Sequence, residues 1–336
     1  MRAVVQTGYG GPSEVLEVRE VDKPSAADGE VLVRVRAASV HPDIWHVVTG
    51  LPRVLRLMGS GVQRPKDAVP GTDMAGQVES VGGGVTQFRP GDEVFGETIL
   101  GMQWRNGGAY AEYVALAEDS LAPKPPEVTF EQAATVPTAG LIALHNIPER
   151  GRRAGQRVLL NGAGGGVGAV AVQLAKSWGA VVTAVDHAGK LDLLRTLGAD
   201  VVVDYTADDV TRSGERYDLV FDVVGNHPFS AYRRVLADDG SYVFIGHDHF
   251  GTQGRRWLGS IPRMFGLMAR STVDRRLPRG PFKPPDRVES MARLRALLAD
   301  GALTPVVARA FALEQAADAI ALLASGQSVG RIVVVP

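Results

Sequence analysis

Apolar residues recur along this chain with two different periods, and the change from one to the other divides it. In "EVLVRVRAASV" apolar and polar residues alternate, the spacing of a half-buried strand. "GQVESVGGGVTQFRPGDEVFG" and "GAYAEYVAL" continue as short strands punctuated by Gly and Pro, so residues 1–124 are expected to be β-rich. Three prolines in "APKPP" then suggest a boundary, and Thr129 with Gln132 predicts a capping-box helix start. From Gln156 the short apolar runs "RVLL", "AVVTAV", "DVVVDY", "YDLVFDVVG" and "GSYVFIG" alternate with amphipathic stretches such as "AVAVQLAKSWG" and "KLDLLRTLGAD". That alternation predicts right-handed βαβ units and an α/β, doubly wound parallel sheet covered on both faces. Past Gly246 an irregular Arg-rich segment follows, then a helix at "RVESMARLRALLADG" and a strand-like close, "RIVVVP".

Length adds the expectation of two domains, since 336 residues exceed one ordinary core. With 45% apolar and 22% charged residues, a soluble globular protein is expected. A net charge of −1 gives no overall pull towards nucleic acid or an anionic membrane, and neither is expected as a partner. The chain has no cysteine, which excludes disulfides, thiolate nucleophiles and cysteine-ligated zinc. "MRAVVQTGYGG" lacks the apolar core of a signal peptide, and no apolar run reaches the ~18–20 residues that span a bilayer. A cytoplasmic enzyme is the expected class.

The chemistry gathers in "NGAGGGVGAVAVQLAKSWGAVVTAVD", Asn161 to Asp186. Glycines at such spacing are weak evidence alone, but here a strand precedes them and a helix starting near Gly166 follows. Aligned to the dinucleotide fingerprint the stretch reads Ala163-x-Gly165-x-x-Gly168, with Gly166 and Val167 between the last two glycines and a carboxylate, Asp186, at the end of the next strand. Gly165 lets the backbone approach a pyrophosphate, Gly168 lets helix and strand pack closely, and the helix N-terminus offers free N–H groups. Asp186 has two compatible roles, accepting from ribose hydroxyls and capping a helix that begins near Gly189. His187 and Lys190 stand close enough in sequence to offset its charge. Because Asp186 repels a 2′-phosphate, the expected cofactor is NAD(P)H with NADH favoured.

With that unit in place, nearly the whole chain resembles the medium-chain dehydrogenase/reductase superfamily, in its zinc-free quinone oxidoreductase branch. The resemblance rests on "ASVHPDIWHVVTG", "PGTDMAGQVESVGGGVTQFRPGDEVFG", "GGAYAEYV", "EQAATVPTAGLIAL", "NGAGGGVGAVAVQLAKSWGA" and "GRIVVV". It implies a GroES-like β-rich catalytic domain, residues 1–124 and 285–336, with a Rossmann domain, residues 125–284, inserted in it. It implies an active site in the cleft between them and a homodimer paired through the "GSYVFIG" strand. Where zinc-dependent members carry a Cys and a His, this chain has the Ser39–Asp43 stretch and Thr72, and threonine is a poor zinc ligand. Without a Lewis acid, hydride transfer to a quinone or an α,β-unsaturated carbonyl fits better than alcohol oxidation. The expected substrate is a small hydrophobic carbonyl or quinone.

The resemblance places His41 and His46 beneath the nicotinamide, His46 in a slot where relatives carry Tyr. His41 replaces the usual Asn, and Asp43 precedes Ile44, which takes the usual Asp slot; a half-exposed, backbone-bonded His is the competing reading of each. Thr138 matches a threonine near the nicotinamide and phosphates, Tyr205 a tyrosine at the adenosine end, and Arg331 a basic residue that reaches the cofactor. Tyr205 packed on the sheet and Arg331 exposed in the tail are the alternatives. Gly225 with Asn226, and Phe244, Ile245 and Gly246, end two strands where ligands of open α/β sheets bind. "HDHF" is a polar loop before it is a metal pair. Residues 51–71 read as an apolar loop bordering the substrate cleft. Residues 255–280 set seven arginines among apolar residues, which could hold an acidic partner or lie on a membrane surface; the Gly and Pro residues argue against a regular amphipathic helix, so the preferred reading is a lid or subunit-interface insertion. Two other readings compete: a metal-free alcohol or carbonyl dehydrogenase, and a nucleotide-binding protein without turnover.

Overall fold

The computed structural model describes residues 1–98, 105–147, 153–246, 257–278 and 286–336. The first strands are β1 (Arg2–Gln6) and β2 (Leu16–Glu20), joined by the short helix α1 (Pro12–Val15). Next come β3 (Glu30–Val40), α2 (Pro42–Thr49), β4 (Asp73–Val81), β5 (Glu93–Glu97), β6 (Tyr113–Ala117) and β7 (Leu121–Pro123). Helices α3 (Phe130–Ala134) and α4 (Pro137–Asn146) lead into the alternating half of the chain. There β8 (Arg157–Asn161), α5 (Gly166–Ser177), β9 (Val181–Asp186), α6 (Leu191–Thr196), β10 (Val201–Asp204), β11 (Tyr217–Asp222), α7 (Phe229–Tyr232) and β12 (Leu236–Phe244) follow. The tail contributes α8 (Ile261–Ser271), α9 (Arg287–Ala299), β13 (Val307–Ala312), α10 (Ala316–Ala324) and β14 (Arg331–Val335).

Two sheets carry the site. The β-rich sheet runs β13-β14-β3-β4-β5-β7, with β6 also paired to β3. Its strand β14 pairs antiparallel with β3, Ile332 opposite Val40, so the next position along, Arg331, falls beside His41. The second sheet is parallel throughout, ordered β10-β9-β8-β11-β12. Its direction of winding reverses between β8 and β11, and the glycine loop after β8 opens at that switch point, where ligands of such sheets bind. This is the expected α/β class: a GroES-like β-rich sheet beside a Rossmann sheet.

Two large apolar clusters form, and the one around Phe221 also takes in Ala37, Ala75 and Phe95 of the β-rich sheet. Val33, Val35, Met74, Val94, Tyr110 and Ile332 fill one, and Leu160, Ala171, Val182, Phe221 and Leu294 belong to the other. The capping box forms, with Gln132 N donating to Thr129 Oγ1 (3.2 Å) and Thr129 N to Gln132 Oε1 (3.1 Å). Helix α3, just past the proline run, still packs on β3 and β4, while α9 packs on α4 and β7.

The Arg-rich segment departs from expectation. Within it Ile261–Ser271 is a regular α-helix, and Pro262 and Gly266 do not prevent it. Proline in the first turn removes an N–H that has no helical partner, and one exposed glycine costs only about 1 kcal/mol.

Candidate functional site

Gly162, at φ +81°, turns the chain out of β8, and α5 starts at Gly166 with Gly165 as its extended N-cap residue. A Cβ on Gly168 would stand 2.6 Å from Ala163 Cα, so only glycine lets the helix lie that close to the loop. A Cβ on Gly165 would meet only Gly162 O, at 3.4 Å, so that face of the turn is open. Ala163, in the first glycine slot, is fully buried, and Val167 packs into the core. Beside Gly166 lies the Arg331 guanidinium: a Cβ on Gly166 would stand 2.6 Å from its Cζ. Arg331 is no exposed tail residue. Its Nη2 donates to Ser39 Oγ at 3.4 Å, and its buried Nε–H has no hydrogen-bond partner among the described residues. Free helix N–H groups, a cation and an orphaned donor around an open turn fit an anion such as a dinucleotide pyrophosphate.

Asp186 faces this loop from the end of β9. Its Oδ2 accepts from Gly164 N at 2.7 Å and its Oδ1 from His187 N at 2.8 Å, while Lys190 Nζ lies 3.6 Å from Oδ1. The expected capping role falls to another residue. His187 is the N-cap, its Nδ1 accepting from Gly189 N at 3.2 Å, because the Asp186 carboxylate is drawn inward to the glycine loop. Tyr205 follows β10 with its N donating to Asp186 O (3.2 Å); the residue is 52% exposed, and its ring lies 6.2 Å from that of His187.

At the far ends of β11 and β12 the Phe244 ring fills the space between Gly225 and Gly246; a Cβ on Gly225 would approach to 2.7 Å of a ring carbon, and one on Gly246 closer still. Both glycines have positive φ, 74° each, and Ile245 N donates to Asp222 O. Asp222, fully buried, is the hub that sequence reasoning missed. It accepts from Asn161 Nδ2 (2.7 Å), Gly225 N (2.9 Å) and Tyr242 Oη (2.7 Å), and Asn161 also donates to Asn226 Oδ1 (2.9 Å). Arg263 of α8 stands 3.6 Å from Asp222 and donates to the carbonyls of Gly225 and His227. The signal was a carboxylate closing the apolar run "VFD", which must find partners once buried.

Between the two sheets a second buried polar cluster forms. Asp73 and Glu97 are register partners on β4 and β5. Asp73 accepts from Thr138 Oγ1 (2.6 Å), Thr138 N (3.1 Å) and Ser39 Oγ (3.3 Å). It thus sits at the N-terminus of α4, where a carboxylate is stabilised. Glu97 accepts from Arg287 Nη2 at 2.7 Å, yet burial and the neighbouring Asp73 charge, against Arg287 and His41, push its carboxyl up to about 7. His41 Nε2 lies 2.6 Å from Thr72 Oγ1 and its Nδ1 3.6 Å from Asp43 Oδ2. Burial disfavours the imidazolium, but Asp43 beside it and the charge of Asp73 outweigh burial and Arg331, raising its pKa.

His41 and His46 are both buried, at 3% and 4% exposure, rather than half-exposed. His46 turns elsewhere, with Nδ1 2.6 Å from Leu51 O at the start of the 51–71 loop. His41, within the Ser39–Asp43 stretch, meets Thr72 directly. Among the described residues no group of three His, Asp or Glu side chains is arranged to hold a metal. His247 to Phe250 lie outside the described residues.

Residues 27–126 match the alcohol dehydrogenase GroES-like domain family, and residues 197–334 match the zinc-binding dehydrogenase family. The chain is 32% identical to the chloroplastic quinone-oxidoreductase QR1 of Triphysaria versicolor, over 100% of this chain and 98% of that one. It is 30% identical to the chloroplastic NADPH-dependent alkenal/one oxidoreductase of Arabidopsis thaliana, over 100% of this chain and 80% of that one. The solved quinone oxidoreductase of Coxiella burnetii superposes with a TM-score of 0.82 at 26% identity, covering 100% of this chain and 99% of that one. The matched domains, the full-length relatives and the glycine cradle agree: the chain belongs to the zinc-free, quinone oxidoreductase-like family of medium-chain dehydrogenases/reductases.

Proposed function

We propose that the protein is a zinc-independent NAD(P)H-dependent oxidoreductase acting on a quinone or an α,β-unsaturated carbonyl. The observation that carries this reading is the open glycine turn flanked by Arg331, whose buried Nε–H awaits an acceptor. Full-length similarity to a quinone oxidoreductase and an alkenal/one oxidoreductase supports the acceptor class. A bound nicotinamide dinucleotide supplies the hydride. Gly164 to Gly168 and Arg331 would hold its pyrophosphate, with Asp186, Lys190 and Tyr205 towards the adenosine end. Thr138, Gly225 and the Phe244–Gly246 strand end would bound the nicotinamide end.

His41 and His46 are the proposed sources of the proton that follows hydride transfer. The raised pKa of His41 keeps its proton available near neutrality, and the Thr72 hydroxyl at 2.6 Å offers a path for it. NADH is the favoured cofactor in this reading, because Lys190, the cation beside the ribose end, already faces Asp186. The division at residues 124 and 284, the homodimer and a cytoplasmic location belong to the same proposal. The edge position of β12 supports pairing through that strand, although Tyr242 N there already donates to Arg276 O. No helix among the described residues is long and apolar enough to cross a membrane.

The test is steady-state oxidation of NADH and NADPH with a panel of quinones, enones, alkenals and alcohols, before and after exhaustive chelation. Turnover of quinones or enones that survives chelation is expected. Oxidation of alcohols alone favours the alcohol dehydrogenase reading, and tight cofactor binding with no turnover favours a non-catalytic one.

A further inference from the structure

Helix α8 is turned inside out. Its residues Arg263, Leu267 and Arg270 form one stripe at i, i+4 and i+7, and that stripe faces the protein. Arg263 lies over the Phe244 ring at 4.3 Å and bonds to the ends of β11 and β12, Arg270 lies over Phe229 at 5.8 Å, and Leu267 packs on the core. The apolar residues Met264, Phe265 and Met268 are left on the outside, with Ile261 half-buried beside them. Phe265 is 65% exposed and Met268 63%, and no residue of the helix is buried. Trp257 and Leu258 extend this surface, both more than half exposed. Arg53 stacks on the Trp257 ring at 4.7 Å and Val54 N donates to Trp257 O, which joins the surface to the 51–66 loop with its exposed Leu57 and Val62.

Charge decides what such a surface meets. The 51–71 loop carries Arg53, Arg56, Arg64 and Lys66 against Asp67, and residues 257–278 carry four arginines against Asp274, two of them, Arg263 and Arg270, on the inward stripe. This cationic excess sits on a chain whose net charge is −1. Two copies meeting through this face about a two-fold axis would set arginine against arginine. An anionic lipid surface satisfies both properties, taking the aromatic and Met side chains below its headgroups and the exposed Arg53, Arg64, Lys66 and Arg275 among its phosphates.

We propose that α8, with Trp257 and the 51–66 loop, is a docking surface for an anionic lipid bilayer. The expectation that the chain has no membrane partner is thereby revised: nothing spans, but one helix lies on the surface. Because Arg263 ties this helix to Gly225 and His46 is bonded to Leu51 of the loop, docking brings the rim of the cleft to the lipid, the phase in which long-chain quinones and alkenals dissolve. That last consequence rests on the reductase reading; lipid binding does not.

The full chain is sedimented with vesicles of phosphatidylglycerol and of phosphatidylcholine, at low and high salt. Binding to phosphatidylglycerol is expected, at least ~tenfold weaker for phosphatidylcholine and weakened by salt. Phe265→Ser with Met268→Ser should abolish it while thermal stability and turnover of a water-soluble quinone stay unchanged. Absence of binding to phosphatidylglycerol, or binding unaltered in the double variant, overturns the proposal. So does light scattering that shows a dimer which the double variant dissociates, since the face then belongs to a second copy. A chain that binds vesicles but turns over no acceptor leaves the docking surface standing and removes only the reductase reading.

Discussion

Asp73 and Glu97 stand opposite each other on β4 and β5, and the hydroxyl of Thr138 reaches both, at 2.6 Å and 3.3 Å. A hydroxyl has one hydrogen. Given to the nearer oxygen, on Asp73, it leaves the Glu97 contact to be made by a proton carried on Glu97. Removing the hydroxyl with Thr138→Val should leave the buried Asp73 carboxylate short of a donor. The expected loss is about 1.5–3 kcal/mol in urea unfolding, with the m-value unchanged.

The same pair sets a pH dependence. Glu97 holds its proton in the folded state up to about pH 7 but loses it near 4.5 when unfolded. A group with a raised folded pKa contributes stability that is full below the unfolded value and lost as pH rises through the folded one. Unfolding measured from pH 4.5 to 7 should therefore show a falling component of about 1.4 kcal/mol per pH unit. Glu97→Gln should flatten it. The raised His41 pKa acts with the same sign, from about 6.5 upward.

Gly165 and Gly168 should fail in different ways. Gly165→Val should fold with unchanged Tm and raise the cofactor Kd at least ~tenfold, because its side chain enters only the open face of the turn. Gly168→Val drives a side chain into Ala163 and should lower Tm by several degrees, on the order of 1–3 kcal/mol of overpacking. Calorimetry and fluorescence titration separate the two; unchanged cofactor affinity in a folded Gly165→Val variant would remove the cradle assignment.

Cofactor choice turns on Asp186. Asp186→Ser should raise the NADPH to NADH ratio of kcat/KM, by an amount on the order of 1–3 kcal/mol, because a repelling carboxylate is lost and Lys190 is released. A ratio that does not move means that Asp186 acts only within the glycine loop, through Gly164 N and His187 N.

What was legible in the sequence was local. The cradle could be read because strand, glycines and helix are consecutive, and each glycine answers a steric demand of its neighbours. The buried cluster could not, because it depends on strand register and on Arg287, 190 positions beyond Glu97. Which way a side chain turns was equally hidden: Asp186 points to Gly164, so His187 inherits the cap. For α8 the periodicity was present at Ile261, Met264, Phe265 and Met268, and Pro262 and Gly266 obscured it although their positions make them harmless.

The pairing of β14 with β3 has a consequence for the order of assembly. Val40 and Ile332 are neighbours in the sheet but nearly three hundred positions apart along the chain, whereas the parallel sheet is built from segments that follow one another. Closing the longer loop costs more entropy and must wait until the tail has left the ribosome. The Rossmann unit thus becomes a folding platform, and Arg331 arrives last. Pulsed hydrogen exchange during refolding should protect β8 and β11 before β3 and β14. The phosphate cradle acquires its cation only when the β-rich sheet is complete, so a half-folded chain holds the glycine loop without the charge that makes it a tight binding site.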